Sequence, residues 1–391
     1  MSDKLVSYSF ANPPLKDEIE FDACGIAAFI NIDGKLVDGR KIVRMITTIK
    51  DRENGLGAGY ALYGLFPEQA DLYCIQLLLD NKDALQRVRD YFKDKVRVVK
   101  DEEVYTQRVS TMREPYPLIW RFFVEPQQKE NEQAYMIRLV MYINAEIDGA
   151  FCMSSGKNMA VFKGNGWSDE IAEFYNLKDY KAHMWLSHSR FPTNTPGWWG
   201  GAHPFNILSW SVVHNGEITS YGTNKRYLEM WDYKCALRTD TEVVAYMFDL
   251  LVRRHQLPEL IACLAMAPPY YYLIDEVENE NERRLYRTIR SSYGQAMING
   301  PFSICVGNNE PVTTLIGLTD RKKLRPLIAA TSQDGNTVYM ASEECAIRIL
   351  KDDINEIWAP RSGNPIIVKA GKGLIWKGTE EHLGNKEVVI V

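Results

Sequence analysis

The sequence lacks the features of a membrane, secreted or nucleic-acid-binding protein. Its longest apolar runs, such as residues 261–267, fall far short of the ~18 residues that span a bilayer. The first residues, Met1-Ser-Asp-Lys-Leu5, do not have the apolar segment and small-residue cleavage site of a signal peptide. The net charge is −5 with both signs interspersed, and no basic block is present. These absences favour a cytoplasmic protein that contacts neither membrane nor nucleic acid.

The chain also lacks the usual signals of a bound metal or cofactor. Its seven cysteines are widely spaced and form no Cys-x-x-Cys, which argues against a disulfide framework, a zinc knuckle or an iron–sulfur cluster in this chain. There is no spaced His/Asp/Glu set and no phosphate-binding loop. Gly55-Leu-Gly-Ala-Gly59 follows a predicted helix, which favours a close-packed strand entry. We expect no cofactor in this chain, and most cysteines as small core residues.

What is present is a dense succession of strand and helix patterns in a chain that is 46% apolar. Strands are predicted at 24–30, 57–65, 72–79, 134–144, 159–162, 182–187, 211–214, 302–306, 314–318, 326–330, 337–340 and 365–369, and helices at 39–54, 81–95, 169–175 and 241–254. Residues 97–130 are predicted to be loop-rich, and 275–282 an exposed acidic excursion. The adjacent strands indicate an α+β fold with antiparallel sheets.

Two short motifs suggest acyl-transfer chemistry. In His214-Asn-Gly-Glu-Ile218, the amide of Asn215 and the backbone N–H of Gly216 can both point at one oxygen and form an oxyanion hole. Cys24-Gly-Ile26 offers a thiol nucleophile with no bulky neighbour on its C-terminal side. Neither motif is specific alone. Together, the thiol could attack a carbonyl and the two donors could stabilise the negative charge that forms on its oxygen.

Two charged residues are candidates for binding a substrate. Arg190 follows a predicted strand and can grip a carboxylate through two parallel hydrogen bonds, although a surface ion pair is the simpler interpretation. Asp240 precedes the helix predicted from Thr241, where it is a natural N-cap, or alternatively a carboxylate for a substrate ammonium.

A cysteine–histidine dyad is an alternative source of nucleophilic chemistry. His203 and His214 are the candidate bases, but they lie in loop-like motifs without the local cysteine signature of papain-like enzymes. A histidine beside an Asn-Gly turn is more often structural, and Glu217 is more often solvated than a general base. This alternative is the weaker one.

Taken in order, five motifs resemble the class II glutamine amidotransferases, whose glutaminase domain has the N-terminal-nucleophile hydrolase fold. They are Cys24-Gly-Ile26, Ser189-Arg-Phe-Pro-Thr-Asn-Thr195, Ala202-His-Pro-Phe205, His214-Asn-Gly-Glu-Ile218 and Thr239-Asp-Thr-Glu-Val243. The resemblance is greatest to the amidotransferase domain of glutamate synthase, and stretches 154–164, 319–326 and 341–343 share it. It covers residues 24–349 and implies a four-layer αββα sandwich.

The resemblance also assigns roles to individual residues. Cys24 would be the nucleophile once it is the first residue, because its free α-amine, with a pKa of ~7.7–8.0, could take the thiol proton. Asn215 and Gly216 would hold the oxyanion. Arg190 would bind the α-carboxylate of glutamine with Thr193 beside it, and Asp240 would bind the α-ammonium.

Two departures from the family pattern carry consequences. Cys24 is not the first residue, so residues 1–23 are predicted to be a propeptide or N-terminal arm cut at Ala23–Cys24, with the amidotransferase domain spanning 24–391. The stretch Asp320-Arg-Lys-Lys-Leu-Arg325 lacks the glycine expected there, which would alter a turn without touching a catalytic group.

The resemblance implies partners outside this chain. Ammonia released from L-glutamine would be channelled to a flavin-containing synthase subunit, so FMN and an iron–sulfur cluster are expected on partner subunits. An iron–sulfur or ferredoxin-like subunit is a further candidate partner. Two alternatives remain: a catalytically silent subunit that retains residues 1–23, and a hydrolase of the same fold that acts on another amide. The substrate preference and the mature N-terminus separate them.

Overall fold

The fold is taken from a computed structural model, which describes residues 24–191, 197–351 and 354–380. The strands are β1 (Gly25–Asn31), β2 (Val37–Asp38), β3 (Ala58–Tyr63), β4 (Tyr73–Leu79), β5 (Val96–Glu103), β6 (Leu118–Pro126), β7 (Ala150–Ser154), β8 (Met159–Gly164), β9 (Lys181–Ala182), β10 (Met184–Ser189), β11 (Phe205–Ile207), β12 (Trp210–Gly216), β13 (Phe302–Asn308), β14 (Thr314–Thr319), β15 (Ile328–Ser332), β16 (Thr337–Ala341), β17 (Ile354–Trp358), β18 (Ile366–Lys369) and β19 (Gly373–Trp376).

The helices are α1 (Arg40–Thr48), α2 (Lys82–Phe92), α3 (Glu132–Glu146), α4 (Ser168–Phe174), α5 (Tyr221–Glu229), α6 (Asp240–Phe248), α7 (Glu259–Met266), α8 (Tyr271–Asp275), α9 (Glu280–Ser292) and α10 (Cys345–Arg348). A π-helical segment, Asp249–Arg254, continues α6. Short 3₁₀ turns lie at Lys50–Arg52, Pro67–Gln69, Leu177–Asp179 and Trp199–Gly201.

Two antiparallel sheets stack face to face at the centre of the molecule. One has seven strands in the order β17-β15-β16-β1-β10-β3-β8, and the other has six in the order β11-β12-β13-β14-β18-β19. Strands β1 and β10 of the first sheet pack on β12 and β13 of the second. Helices α1, α4 and α10 cover the outer face of the first sheet, and α6 covers that of the second. The predicted α+β fold with αββα layers is therefore confirmed.

Burial on both faces explains why the central strands read as continuous apolar runs. Every residue of β1 is buried, between α1 on one side and the six-stranded sheet on the other. In β12 the two faces alternate: Val213 packs in the core between the sheets, and Val212 packs in the core beneath the helices. This alternation is the period of two that a strand imposes on its side chains.

A third, four-stranded sheet in the order β5-β6-β4-β7 corrects one prediction. The stretch 97–130, predicted to be loop-rich, contains β6 and nearly all of β5. Strand β5 is an edge strand with exposed charges, such as Arg97 paired to Glu125 at 2.6 Å, so it lacks the apolar alternation of a half-buried strand.

The predicted strand at 134–144 is also wrong, because this segment lies within helix α3. Its apolar residues are so frequent that no single period dominates, and buried side chains occupy more than one side of the helix: Met136, Ile137, Leu139, Val140, Met141 and Ile143. A short apolar run of this kind is ambiguous between strand and buried helix. The acidic stretch 275–282 likewise contains the start of α9, which Asn279 caps through the N–H groups of Asn281 and Glu282.

The missing glycine in 320–325 leaves the turn in a glycine-like conformation. Lys323 adopts a left-handed φ of 53°. Asp320 supports the turn by accepting the backbone N–H groups of Lys322 and Leu324, each at 2.8 Å. The Lys323 ammonium donates to the Pro360 carbonyl at 2.8 Å. Lys323 therefore adopts a conformation that glycine adopts without strain, at a conformational cost of about 1–2 kcal/mol.

Candidate active site

Cys24 lies at the start of β1, at the end of the two stacked sheets. Strand β1 pairs with β10 so that Gly25 faces Ser189, which brings Cys24 beside the residues after β10. The half-buried Cys24 sulfur accepts the backbone N–H of Phe191 at 3.3 Å. The backbone carbonyl of Cys24 accepts a hydrogen bond from the Arg52 guanidinium at 3.4 Å, and Arg52 also forms an ion pair with Glu343. Sequence reasoning assigned no role to Arg52 or to the Phe191 backbone, although Phe191 lies in one of the five motifs.

Glycine next to the cysteine allows close packing. A Cβ at Gly25 would lie 2.4 Å from the Ser189 hydroxyl oxygen, so that hydroxyl would have to move to admit a side chain. The motif Cys-Gly therefore reflects close packing of β1 on β10 as well as access to the thiol.

Cys24 differs from most other cysteines of the chain. Five are buried: Cys74, Cys152, Cys235, Cys263 and Cys305. Burial raises the pKa of all five, that of Cys74 and Cys305 to about 12, so these thiols stay protonated at neutral pH. The expectation that most cysteines are core residues is confirmed, with exposed Cys345 as the exception.

Arg190 follows β10 and is buried, with 6% of its surface exposed. Its backbone N–H donates to the Gly57 carbonyl at 2.9 Å. A Cβ at Gly57 would lie 3.3 Å from the Arg190 side chain, so this glycine leaves room for it. Burial lowers the pKa of Arg190, and the charges of Cys24 and Asp240 oppose that effect. The three predicted site residues are therefore close enough to interact electrostatically.

Asn215 and Gly216 end strand β12 on the facing sheet. Asn215 is fully buried, and its Nδ2 donates to the Ser342 hydroxyl at 3.5 Å, the outer limit of a hydrogen bond. Its Oδ1 has no hydrogen-bond partner among the described residues. The Ser342 oxygen also accepts the N–H of Ile26 at 3.0 Å. Ser342 therefore links the asparagine to the strand that carries Cys24, although the sequence assigned it no role beyond lying in the Ala-Ser-Glu stretch.

Gly216 has a conformation that other residues rarely adopt. Its φ is 130°, and a Cβ there would lie 1.9 Å from the Pro301 carbonyl oxygen. The adjoining Glu217 N–H donates to that same oxygen at 2.9 Å. The backbone after Asn215 is thus held against residues 300–302, and only glycine fits the turn.

Asp240 supports this turn from helix α6. Its Oδ2 accepts the Ile218 N–H at 3.0 Å, and its Oδ1 accepts the Thr241 hydroxyl at 3.1 Å and lies 3.6 Å from His214 Nδ1. Burial alone would raise the pKa of Asp240, but His214 and these hydrogen bonds outweigh it and lower the pKa to about 2. The N-cap interpretation is wrong, because Thr239 caps α6 through the Thr241 N–H.

The candidate bases His203 and His214 are buried behind the turn. His203 Nε2 lies 2.7 Å and His214 Nδ1 lies 3.1 Å from the Thr241 hydroxyl. His203 stacks on His188 with ring centroids 4.1 Å apart, and burial lowers its pKa well below the usual value. Packing around a shared hydroxyl is typical of structural histidines. It therefore argues against a cysteine–histidine dyad as the source of the nucleophilic chemistry.

Other expectations fall partly outside the described residues. Thr193 and residues 1–23 lie outside them, so the substrate role and the propeptide stay predictions, as does the domain boundary at Cys24. Across 24–191, 197–351 and 354–380, no group of three His, Cys, Asp or Glu side chains could hold a metal ion. Within the same residues, no helix is both long and apolar enough to cross a membrane.

Known proteins resemble this chain along most of its length. The sequence model described as "Glutamine amidotransferases class-II" matches residues 81–386, which include Arg190, Asn215, Gly216 and Asp240 but not Cys24. An uncharacterized protein of Archaeoglobus fulgidus is 43% identical over 89% of this chain and 92% of its own length. Glutamate synthase [NADH] of Saccharomyces cerevisiae is 26% identical over 54% of this chain and 12% of its own length.

Among solved structures, glutamine phosphoribosylpyrophosphate amidotransferase from B. subtilis is 14% identical and covers 90% of this chain and 48% of that one, with a TM-score of 0.44. At that score the superposition adds nothing to the argument. The family match spans most of the chain and contains the turn, the arginine and the aspartate described above. The chain belongs to the class II glutamine amidotransferases.

Proposed function

We propose that this protein hydrolyses the side-chain amide of L-glutamine through a thioester on Cys24. The products are glutamate and ammonia, and the ammonia passes to a partner synthase subunit of a glutamate synthase-type complex. The observation that carries the proposal is the link through Ser342, which ties the amide of Asn215 to β1 two residues from Cys24.

In the first half of the reaction, the α-amine of Cys24, freed by cleavage after Ala23, takes the thiol proton. The thiolate attacks the glutamine amide carbon, and the carbonyl π electrons move to oxygen. Asn215 Nδ2 and the Gly216 N–H stabilise this oxyanion. The C–N bond then breaks, the ammonium gives its proton to the leaving nitrogen, and ammonia and a thioester result.

In the second half, water attacks the thioester carbon while the Cys24 amine takes a proton from it. A second oxyanion forms in the same place and collapses, the C–S bond breaks, and glutamate leaves. The Phe191 N–H, which contacts the sulfur at 3.3 Å, stabilises the thiolate as it forms and again as it is released.

The substrate clamp is part of the proposal. Arg190 binds the α-carboxylate of glutamine, with Thr193 beside it, and Asp240 binds the α-ammonium. A pKa of about 2 keeps Asp240 ionised at neutral pH, as an ammonium partner requires. Since this pair recognises a free α-amino acid, it favours glutamine over peptides and over amides that lack free α-amino and α-carboxyl groups.

The partner is inferred from the likeness to yeast glutamate synthase, which spans only 12% of that protein. A flavin-containing subunit would accept the ammonia, with FMN and an iron–sulfur cluster held outside this chain. Ammonia becomes ammonium in water, so a closed path between the two subunits is part of this proposal.

Replacing the nucleophile tests the glutaminase activity. We expect Cys24→Ala to lower glutamate release from L-glutamine by more than about 10⁴-fold, measured with the partner subunits present. Cys345→Ala, which removes an exposed thiol, is the matched control and should retain activity. Wild-type activity in Cys24→Ala would refute the assignment.

The mature N-terminus separates an enzyme from a silent subunit. Intact-mass measurement of the purified complex should find a chain that begins at Cys24. A mature chain that retains residues 1–23 and hydrolyses no glutamine would instead support a structural amidotransferase-like subunit.

A further inference from the structure

A cavity of about 460 Å³ lies apart from Cys24, on the helical side of the six-stranded sheet. It is lined by residues of helices α7, α8 and α9, by the turn after β14 and by the segment 361–364. Trp376 and Glu380 also line it. This volume is within the range of small-molecule sites, about 300–1,000 Å³.

The cavity wall is largely apolar, and hydrogen bonds between its own residues hold parts of it together. Leu264, Val277 and Trp376 are buried in it. Asn364 joins two parts of the wall: its Oδ1 accepts the Trp376 indole N–H at 2.7 Å, and its Nδ2 donates to the Glu380 carbonyl at 2.7 Å. A preformed apolar wall of this kind suits a ligand with a large apolar group.

Arg321 supplies a cationic group in the cavity. Its guanidinium stacks on Tyr270, with the carbon 4.5 Å from the ring centroid, and one nitrogen donates to Asn299. Among the described residues no carboxylate lies within ion-pair distance of it. A guanidinium fork held on an aromatic face, with donors left over, is suited to a carboxylate.

Glu380 supplies the opposite charge. It also lines the cavity, and its Oε2 is buried without a hydrogen-bond partner among the described residues. A buried carboxylate oxygen left unpaired is costly, which calls for a donor from a ligand. Glu276 and Arg361 also line the cavity, so charged groups of both signs lie beside its apolar wall, and this combination is complementary to a zwitterion.

We propose that this cavity binds a free α-amino acid with a large apolar side chain, its carboxylate on Arg321 and its ammonium on Glu380. Neither residue belongs to the candidate active site, and the ligand class differs from glutamine in its side chain.

The cavity is connected to the oxyanion turn. Arg321 contacts Asn299, whose carbonyl accepts the Thr219 N–H at 2.7 Å and whose own N–H donates to the Ser220 hydroxyl at 2.8 Å. A Cβ at Gly300 would lie 2.1 Å from the Glu217 carbonyl, so the two segments are in tight contact. A bound carboxylate competes with Asn299 for Arg321 and weakens the support of the turn. This regulatory effect rests on the proposed function, whereas binding does not.

Calorimetric titration with three probes tests the binding site. L-Phenylalanine carries both charges, 3-phenylpropanoate lacks the ammonium, and 2-phenylethylamine lacks the carboxylate. We expect L-phenylalanine to bind and each analogue to bind at least about tenfold more weakly. No binding of L-phenylalanine, or equal binding of an analogue, would overturn the proposal.

Variants locate the site. Arg321→Gln and Glu380→Gln should each weaken L-phenylalanine binding at least about tenfold. Arg287→Gln, which changes an exposed arginine of α9 outside the cavity, and Arg190→Lys in the candidate active site should not. Circular dichroism checks that each variant is folded. Loss of binding in Arg190→Lys with retention in Arg321→Gln would place the ligand in the wrong site and refute the proposal.

The regulatory effect has its own measurement. L-Phenylalanine should lower the rate of glutamine hydrolysis in the wild type and leave that of Arg321→Gln unchanged. If L-phenylalanine bound without changing the rate of glutamine hydrolysis, the proposed regulatory effect would be refuted. A protein that binds L-phenylalanine but never hydrolyses glutamine would refute the proposed function and leave the binding site standing.

Discussion

The ends of the two stacked sheets differ in the kind of chemistry that they present. The end of the seven-stranded sheet carries ionisable groups, the half-buried Cys24 and the buried Arg190. The end of the six-stranded sheet carries neutral donors, the fully buried Asn215 and the backbone of Gly216. A nucleophile must exchange protons and admit a substrate, whereas oxyanion donors work best when they are fixed and shielded from water. In the proposed reaction, each sheet therefore supplies one half of the chemistry.

The means of holding the two ends also differ. Cys24 is positioned by charged and backbone partners, Arg52 and Phe191. Gly216 is held in close contact with the Pro301 backbone, and its φ of 130° is a backbone conformation that other residues rarely adopt. Ser342 and Asp240 connect the two halves to each other and to α6. Changes at these positions separate the contribution of each half.

Among changes to the groups around the oxyanion turn, the largest effect is expected from removing the neutral donor. Asn215→Ala should lower kcat for glutamine hydrolysis by about 10²–10³-fold with a much smaller change in KM, because the donor acts mainly on the oxyanion. Steady-state kinetics of purified protein measure it. If Asn215→Ala raised KM and left kcat unchanged, Asn215 would be a substrate-binding residue. The two sheet ends would then not differ in the way described.

A smaller effect is expected for the carboxylate that supports the turn. At pH 7, Asp240→Asn should lower the free energy of unfolding by roughly 2 kcal/mol. Folding depresses the pKa of Asp240 to about 2, so its stabilising contribution is complete above its unfolded pKa and is lost as the pH falls toward 2.

Denaturant unfolding of wild type and Asp240→Asn at pH 7 and pH 3 measures this contribution. The difference between them should fall to about half at pH 3, because Asp240 is then largely protonated in the unfolded chain while it is still mostly ionised in the folded protein. Asp169→Asn, which removes an exposed carboxylate paired with Lys50, is a control with little expected change. An unchanged difference at both pH values would contradict the ionised state of Asp240.

The smallest effect is expected for the bridge between the sheets. Ser342→Ala removes the acceptor of the Ile26 N–H and a weak partner of Asn215, and should lower kcat by about tenfold, about 1.4 kcal/mol. Ser342→Thr keeps the hydroxyl and should restore most of the rate. Equal losses in both variants would show that packing rather than the hydroxyl matters at this position.

The sequence predicted most strands of the two central sheets, because burial on both faces leaves apolar runs that are easy to recognise, as in β1. It failed at α3 and at β5 for opposite reasons. The first is apolar on more than one side and mimics a strand, and the second is a charged edge strand that mimics a loop. In both cases the surroundings of the segment, and not its own pattern, decide its structure.

At the candidate site, the sequence by itself determined which residue types are present and in which order, and so the family and its chemistry: a cysteine before a glycine, an arginine, an Asn-Gly turn and an aspartate. Only the tertiary structure decided that Asp240 supports Ile218 instead of capping its helix, and that Ser342 joins Asn215 to β1. Both contacts join segments distant along the chain, 22 and 316 residues apart. Local sequence cannot specify such contacts, because they exist only after the two sheets have packed.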